Sequence, residues 1–594
     1  MKKNSLFKFQ KSRTALLCGM MISFVSASSL SAQYFTKVNT GTLVETPIKT
    51  YSASFADYNN DGFDDVLIVG TIDGATSTLF VNNGDGTFTA KTDNVIHSTV
   101  GPSIACTWGD YNNDGNIDLY ICNSGNSGAA QSVNFLYRND GNGVFTRILT
   151  GDIVTDQDWS LGAAWADYDN DGFLDLYVAN FEQPNRLYHN NGDGTFTKIT
   201  TGAIVTDDFN TYSASWVDYD NDGFQDMYVV NYFNNSLPGQ NNCLYHNNGD
   251  GTFTKNTTSL IANDLSASQG SSWGDYNNDG LMDLFMTVND FADIKHNFLY
   301  KNLGGGNFEV ANAAPSIDGG AGFGSAWLDM NNDGFLDLTV SNNGSTAKRL
   351  NKLYLNNGDG TFTNQAADDA TTTPIRDYCS TISDYNNDGY PDIFTPSYST
   401  TIVHGLYKNN GGTNNWISLR LQGVQSNRSG IGARVVCYAN GKVQTRQVSS
   451  ASGEYTGSTL VQTFGLGTAT VIDKIEIFWP SGIQQVITNP AKNQIYNILE
   501  TATLATTENT NSKSLSIYPN PAKSDGNVYV KSMKSGNYDL TLTNYVGQRI
   551  KNLKVNLESG KSKSINLGLL QPGVYIISAS NKEDRSSQKL IITK

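Results

Sequence analysis

The sequence predicts an all-β chain: a seven-bladed β-propeller, a small β-rich domain after it, and a C-terminal β-sandwich. Three observations predict this. The acidic pattern D-x-[DN]-x-D-G-x-x-D occurs seven times, starting at Asp57, Asp110, Asp167, Asp218, Asp275, Asp329 and Asp384. Between the copies lie short apolar and aromatic runs broken by Asn-Gly and Asp-Gly, the dipeptides of tight hairpin turns, with no long amphipathic helical period. After residue 412 the acidic pattern stops and the composition changes.

Residues 1–32 read as a secretory signal peptide. Lys2, Lys3, Lys8, Lys11 and Arg13 precede an apolar run from Ala15 to Val25, and Ser29-Leu30-Ser31-Ala32 offers a cleavage site before Gln33. The run is too short for a membrane span, which needs about 20 apolar residues, and no other stretch of the mature chain is long enough. The whole sequence carries 40 Lys+Arg against 56 Asp+Glu, a net charge of -16. Removing the first 32 residues takes away five cations and no anion, leaving -21. Such an acidic chain does not read as a nucleic-acid binder, which needs a basic patch to displace counterions. The five histidines (His97, His189, His246, His296, His404) are scattered, which disfavours a His-ligated zinc site or a His-dependent triad. Five cysteines remain after export, an odd number that makes no disulfide framework. Cys106 and Cys122 flank one acidic loop and can face each other on paired strands, or serve as small buried thiols.

Residues 33–412 form the predicted propeller. The seven copies are 53, 57, 51, 57, 54 and 55 residues apart. Each follows a strand of small and aromatic residues and precedes an apolar run such as Leu176-Tyr177-Val178. A second signature, Leu-Tyr-x-Asn-x-Gly-x-Gly-x-Phe, follows, as at Leu187–Phe196. Each unit is thus several short strands joined by turns, the size of one blade. Phe35-Thr36 matches the Phe-Thr strand that closes other units, whereas the last unit, ending at Asn409-Asn410-Gly411, lacks one. The N-terminal strand is therefore expected to complete the seventh blade. An aromatic stands two residues before six loops (Phe55, Trp108, Trp165, Trp216, Trp273, Trp327), with Ile382 in the last. Its recurrence reads as packing between blades, with a sugar-stacking platform as the alternative.

The loops read as Ca²⁺ sites, about seven in all, one per blade. The candidate ligands at positions 1, 3, 5 and 9 are Asp57, Asn59, Asp61 and Asp65; Asp110, Asn112, Asp114 and Asp118; Asp167, Asp169, Asp171 and Asp175; Asp218, Asp220, Asp222 and Asp226; Asp275, Asn277, Asp279 and Asp283; Asp329, Asn331, Asp333 and Asp337; Asp384, Asn386, Asp388 and Asp392. Alternate oxygen side chains converge when a Gly at position 6 permits a sharp turn, and hard oxygen ligands are what Ca²⁺ prefers. Carboxylates this close repel unless a cation neutralises them. A turn capped by Asp and Asn without metal is the other reading. An EF-hand is excluded: its twelfth position is Glu, whereas here it is Ile68, Ile121, Val178, Val229, Met286, Val340 and Thr395.

These repeats resemble FG-GAP/VCBS repeats, the calcium-loop repeats of integrin α-subunit propellers, over residues 34–412. The resemblance implies a seven-bladed propeller with calcium in outer-strand loops, and it leaves the ligand open. Residues 413–500, with Asn427-Arg428-Ser429-Gly430-Ile431-Gly432-Ala433-Arg434, Phe464-Gly465-Leu466-Gly467 and Trp479-Pro480-Ser481-Gly482, resemble an ASPIC/UnbV domain, with Tyr455-Thr456-Gly457-Ser458 departing from its usual Ser-Gln. Arg428 and Arg434 there can meet an acidic ligand or form structural salt bridges. Residues 501–513, rich in Thr, Asn and Ser, read as a linker. Residues 514–594, with Tyr518-Pro519-Asn520-Pro521 and Gln571-Pro572-Gly573-Val574-Tyr575, resemble the type A C-terminal sorting domain of the type IX secretion system of Bacteroidetes. That resemblance implies handling by the type IX machinery, passage through the periplasm, and release or attachment at the cell surface.

Together these features read as a secreted or cell-surface calcium-binding propeller that binds an extracellular glycan or protein. The alternatives are a polysaccharide lyase or hydrolase on the same scaffold, and a purely structural surface scaffold. A catalytic set has to break the repeat pattern; Asp156, Asp158 and Trp159 form one irregular cluster, and Arg376, Asp377 and Tyr378 another. Neither is assigned as catalytic.

Overall fold

The computed structural model describes residues 33–501 and 515–593, apart from segments 72–74, 125–130, 233–240, 264–265, 290–295, 318–321, 343–349, 452–454 and 456, and 519–521, 524–526, 533, 545–548, 571–572 and 582–584. The expected signal peptide lies outside the described residues, as does the expected linker apart from Thr501. The described residues up to Thr501 form one compact unit and those from Leu515 a second.

Between Phe35 and Asn409 the described residues form seven four-stranded antiparallel sheets. They are numbered here as blades 1 to 7 by the loop each carries. The first strands of the blades are Ala53–Ala56, Ser103–Gly109, Ser160–Ala166, Thr211–Val217, Ser268–Gly274, Gly322–Leu328 and Thr381–Ser383. Each touches the first strand of the next blade, and that of blade 7 touches that of blade 1, so these strands line the inside of a closed ring. Blade 7 takes its outermost strand from the N terminus: Phe35 pairs with Asn409 and Val38 with Leu406, antiparallel. This is the closure expected from Phe35-Thr36. The carboxylate of Asp368 accepts from the Tyr34 and Phe35 backbone N–H groups at 2.7 and 3.0 Å and ties the strand to blade 6.

Aromatic packing joins the blades. Trp165 of blade 3 is fully buried and stacks on Tyr111 of blade 2 (6.2 Å, 9° between planes). Trp216 stacks on Tyr168, and Trp327 on Tyr276, in the same way. The residue following the aromatic is Gly109 in blade 2 and Gly274 in blade 5. A Cβ at Gly109 would lie 2.9 Å from the Trp165 ring, and one at Gly274 2.9 Å from that of Trp327. The aromatics before the loops are therefore core, as their recurrence implied.

The five cysteines are buried and free. Cys106 lies opposite Ile121 and Cys122 opposite Ala105, so the two are offset by one residue and their side chains enter different cores. The expectation that they can face each other fails because successive strand residues point to opposite faces.

Residues 415–499 add a three-stranded and a four-stranded sheet. Their core is continuous with that of blades 2 and 3: Ile417, Val435, Phe464 and Ile477 share one cluster with Tyr120 and Trp165. The module expected over 413–500 is therefore built into the same compact unit as the ring. From it, described residues between Ser449 and Thr459 pass among the inner strands. Ser450 Oγ accepts from the Trp165 N–H at 2.8 Å, Thr107 Oγ1 donates to the Ser450 carbonyl at 3.1 Å, and Ser54 and Thr381 hydroxyls donate to the Gly457 carbonyl at 2.8 and 2.9 Å. Tyr455 lies against Tyr51 and Tyr378 where the inner strands of blades 1 and 7 begin. Ser450, Tyr455 and Gly457 thus lie among the inner strands of the ring.

In the second unit a three-stranded and a five-stranded sheet share one core, with Ile517, Val528 and Ile565 from the first against Leu540, Ile577 and Leu590 from the second.

Candidate metal centres

Each acidic loop joins the first and second strands of its blade, as Asp57–Asp65 joins Ala53–Ala56 to Asp65–Ile68. The loops are therefore at the innermost hairpin. The outer-strand placement implied by the family resemblance is corrected, because the strands that precede the loops are those that touch around the ring axis. All inner strands run towards their loops, so the seven loops share one face of the ring.

The loop geometry repeats. In blade 1, Asp57 Oδ1 accepts from the Asp61 N–H (3.0 Å) and Oδ2 from the Gly62 N–H (2.9 Å), while Asn59 Oδ1 also accepts from Asp61 (2.9 Å). Asp61 Oδ1 accepts from the Phe63 N–H at 2.9 Å. These bonds turn positions 1, 3 and 5 towards one centre. Gly62 takes φ 93°, in the region that favours glycine. The position-9 carboxylate is buried at the start of the next strand. Asp118 accepts from the Asn139 N–H through Oδ1 (2.7 Å) and from the Tyr111 N–H through Oδ2 (3.1 Å).

Charge is concentrated there with few cations to balance it. Burial, opposed by backbone hydrogen bonds and reinforced by the loop's other carboxylates, pushes Asp65 up to about 8 and Asp118, Asp226 and Asp283 up to about 9. Burial likewise lifts Asp57, Asp110, Asp218 and Asp275 to about 6. Asp65 Oδ2, Asp167 Oδ1 and Asp220 Oδ1 are buried with no hydrogen-bond partner. Asp167, Asp169 and Asp171 bring ligand atoms within 4.8 Å of one another, as do Asp218, Asp220 and Asp222. These oxygen-rich sets can hold a metal ion, and their donor chemistry fits Ca²⁺.

Two repeated residues were missed from the sequence. Position 4 is Asn in every copy, with φ between 55° and 61°. Its amide donates to the position-6 glycine carbonyl of the next loop: Asn60 to Gly115, Asn113 to Gly172, Asn170 to Gly223, Asn221 to Gly280, Asn278 to Gly334, Asn332 to Gly389, and Asn387 back to Gly62. The Asn of the Leu-Tyr-x-Asn signature links loops in the other direction. Asn139 donates to the Ile117 carbonyl of its own loop and to the Tyr58 carbonyl of the preceding one, and Asn82 closes the cycle on Tyr385 of blade 7. The signal was available as a residue invariant across copies at a position without a ligand role.

The 415–499 module covers part of the loop face. Arg420 donates to the Gly62 carbonyl at 2.6 Å, Lys442 to the Asp333 carbonyl at 3.0 Å, and Gln447 to the Asp218 carbonyl at 2.9 Å. The charge of Arg446 acts on Asp329 and Asp275, and Arg446 and Asp329 line a cavity of about 180 Å³ together with Trp273 and Trp327. Arg428 bonds the Gly423 carbonyl, and the Arg434 guanidinium lies 4.1 Å from the centre of the Phe478 ring.

The irregular clusters lie on the opposite face, where the inner strands begin. Asp158 is held by Arg186 through two bonds of 2.8 and 3.0 Å, Asp156 by Lys198 and Tyr188, and buried Asp377 by Asn351. Around them stand half-buried aromatics: Tyr51 against Tyr398 at 4.4 Å, Trp159 against Phe181 at 6.2 Å, and Tyr212 against Tyr232 at 5.1 Å.

A closed ring of repeated sheets with acidic hairpin loops defines the class, and comparison with known proteins agrees. FG-GAP-like repeats match at residues 57–121, 116–178, 167–229, 231–286 and 329–395. "ASPIC and UnbV" matches residues 423–505, and the "Secretion system C-terminal sorting domain" residues 516–593. The chain is an FG-GAP-repeat protein with an ASPIC/UnbV module and a sorting domain that directs type IX export to the cell surface or beyond. Cartilage acidic protein 1 of Homo sapiens is 24% identical over 282 residues, 44% of this chain and 40% of the human protein. Its Mus musculus counterpart is 23% identical over 282 residues, 44% of this chain and 41% of that protein. The chain thus spans about two fifths of the length of these relatives. Among solved structures, BBS1N in complex with ARL6DN aligns with a TM-score of 0.40 at 10% identity, covering 63% of this chain and 97% of that one. Sqt1 of Saccharomyces cerevisiae aligns with a TM-score of 0.39 at 10% identity, covering 64% of this chain and 100% of that one. No helix among the described residues is long and apolar enough to cross a membrane.

Proposed function

We propose that this protein is a calcium-stabilised recognition propeller that works outside the cell. In this reading the loops hold Ca²⁺ through positions 1, 3, 5 and 9, and the face opposite them binds an extracellular glycan or protein. The observation that carries it is the division of labour between the two faces. One face bears the buried, cation-poor carboxylates and is partly covered by residues 415–499. The other presents Tyr51, Trp159, Tyr212 and Tyr398, with Lys49 and Arg376 lying 4.5 and 4.9 Å from the Tyr398 ring. Half-buried aromatics beside hydrogen-bonding and cationic groups suit the apolar faces and hydroxyls of sugars, or the side chains of a protein partner.

The test is a glycan array and a pull-down from extracellular material, both in calcium, with Trp159→Ala and Tyr398→Ala alongside the parent chain. Specific retention that either substitution weakens about tenfold supports the reading. Binding to nothing in either format leaves a structural scaffold. Release of reducing ends or unsaturated products from a polysaccharide favours the enzyme alternative.

A further inference from the structure

Blades 3 and 4 depart from the other five in the same two places. Position 3 is Asp169 and Asp220, where the others have Asn. The variable residue of Leu-Tyr-x-Asn is His189 and His246, where the others have Val81, Arg138, Lys301, Leu355 and Lys408. The two changes sit 20 residues apart in blade 3 and 26 in blade 4, and the fold brings them together. His189 Nδ1 lies 3.3 Å from Asp169 Oδ2 and 3.2 Å from Asp175 Oδ1. His246 Nδ1 lies 3.5 Å from Asp220 Oδ2 and 3.2 Å from Asp226 Oδ1. The rings are held alike, edge-on to Tyr168 and Tyr219 with centroids 6.2 Å apart in each case.

Two further observations point to a ligand. Both Nδ1 atoms are buried and make no hydrogen bond of acceptable geometry. Asp167, only 2% exposed, also has a buried Oδ1 without a partner. In the other six loops the position-5 N–H reaches the equivalent oxygen, as Asp114 N does Asp110 Oδ1 at 3.1 Å, whereas Asp171 N turns to Asp169 instead. The cations at the variable position of other blades do not reach as deep. Lys301 and Lys408 approach position 5, with Nζ 3.6 Å from Asp279 and 4.0 Å from Asp388. The imidazoles reach positions 3 and 9, inside the loop.

We propose that blades 3 and 4 are mixed nitrogen–oxygen centres for a first-row transition-metal dication, with ligands Asp169, Asp175 and His189 in one and Asp220, Asp226 and His246 in the other. The spacing admits either kind of ion, since bonds of about 2.1–2.4 Å place neighbouring ligand atoms about 3.0–3.4 Å apart. The nitrogen makes the selection, because imidazole suits Zn²⁺, Co²⁺ and Ni²⁺, whereas Ca²⁺ takes oxygen. The ring would then carry two metal types in fixed positions, side by side on adjacent blades. The proposal rests on the loops being cation sites.

The test loads the full mature chain, stripped with chelator, with Co²⁺ in a large excess of Ca²⁺. About two equivalents of Co²⁺ are expected to stay bound, with a visible absorption band from nitrogen ligation. His189→Gln and His246→Gln should each remove about one equivalent and half the band, while His296→Gln changes neither. Calcium bound by the remaining loops, measured in the same samples, reports separately on the loops as cation sites, and melting curves report on folding. No retained Co²⁺ beside bound calcium overturns the proposal. So does retained Co²⁺ that well-folded double-Gln protein keeps, since the imidazoles are then counter-ions to the extra carboxylates.

Discussion

Asn332 has a fully buried side chain, a φ of 55° and a 2.8 Å bond to the Gly389 carbonyl of the next loop. Asn tolerates the left-handed region better than other residues with a Cβ, and its short amide reaches a backbone oxygen from there. Replacement by Ala loses a buried hydrogen bond, about 1 kcal/mol, and adds backbone strain of about 1–2 kcal/mol. Replacement by Gly loses the bond alone. Asn332→Ala should therefore lower stability by roughly 2–3 kcal/mol and Asn332→Gly by only about 1 kcal/mol, read from denaturant midpoints in calcium. Equal losses would show that the conformation contributes nothing. The ligand positions were legible because carboxylates at alternating places before a glycine have a plain chemical use. The Asn ring was not. Its partners lie 53–59 residues away within the chain and 325 away where Asn387 meets Gly62, and only the closed ring makes them neighbours.

The N-terminal strand shows what a single element contributes. Phe35 is fully buried in the core that also holds Ala326, Ile393 and Tyr407. Its role parallels that of Phe145, the first residue of the outer strand in blade 2. Phe35→Ala and Phe145→Ala should each cost about 3–5 kcal/mol if the strand closes the ring. A negligible loss at Phe35 beside a full loss at Phe145 would mean the terminal strand frays. This element was legible from two residues because strands in a repeat share a signature. The radial place of the loops was not, since a hairpin pattern records which strands are joined and not which lies nearest the axis. Nor was the place of Ser450 and Gly457, which meet residues more than 280 positions away in blades 1 to 3, through backbone carbonyls and hydroxyls that leave no periodic trace.

At the scale of the molecule, the acidity has a location. The ligand positions of the seven loops hold 23 carboxylates, more than the whole excess of 21 in the mature chain, and seven bound divalent cations would bring its charge from -21 to -7. Without ions, the loop carboxylates have folded values of about 6 at Asp57 and Asp110, rising to about 9 at Asp118 and Asp283. These lie above the unfolded value near 3.8, so the groups favour the folded chain at low pH and lose that contribution as the pH rises through their folded values. In chelator the melting temperature should fall from about pH 4 to pH 9, and saturating calcium should flatten that slope. A slope of the same size with and without calcium would place the titration elsewhere.

Calcium in the loops is tested most directly by the melting curve of the mature chain in excess EDTA against that in millimolar calcium, with metal analysis confirming that the chelated sample is ion-free. Each loop left empty keeps three or four carboxylates in mutual repulsion. The ion-free chain should therefore melt well below the calcium-loaded one, and added calcium should restore the higher transition. Superimposable curves from verified ion-free and calcium-loaded protein would contradict the reading of these loops as calcium sites.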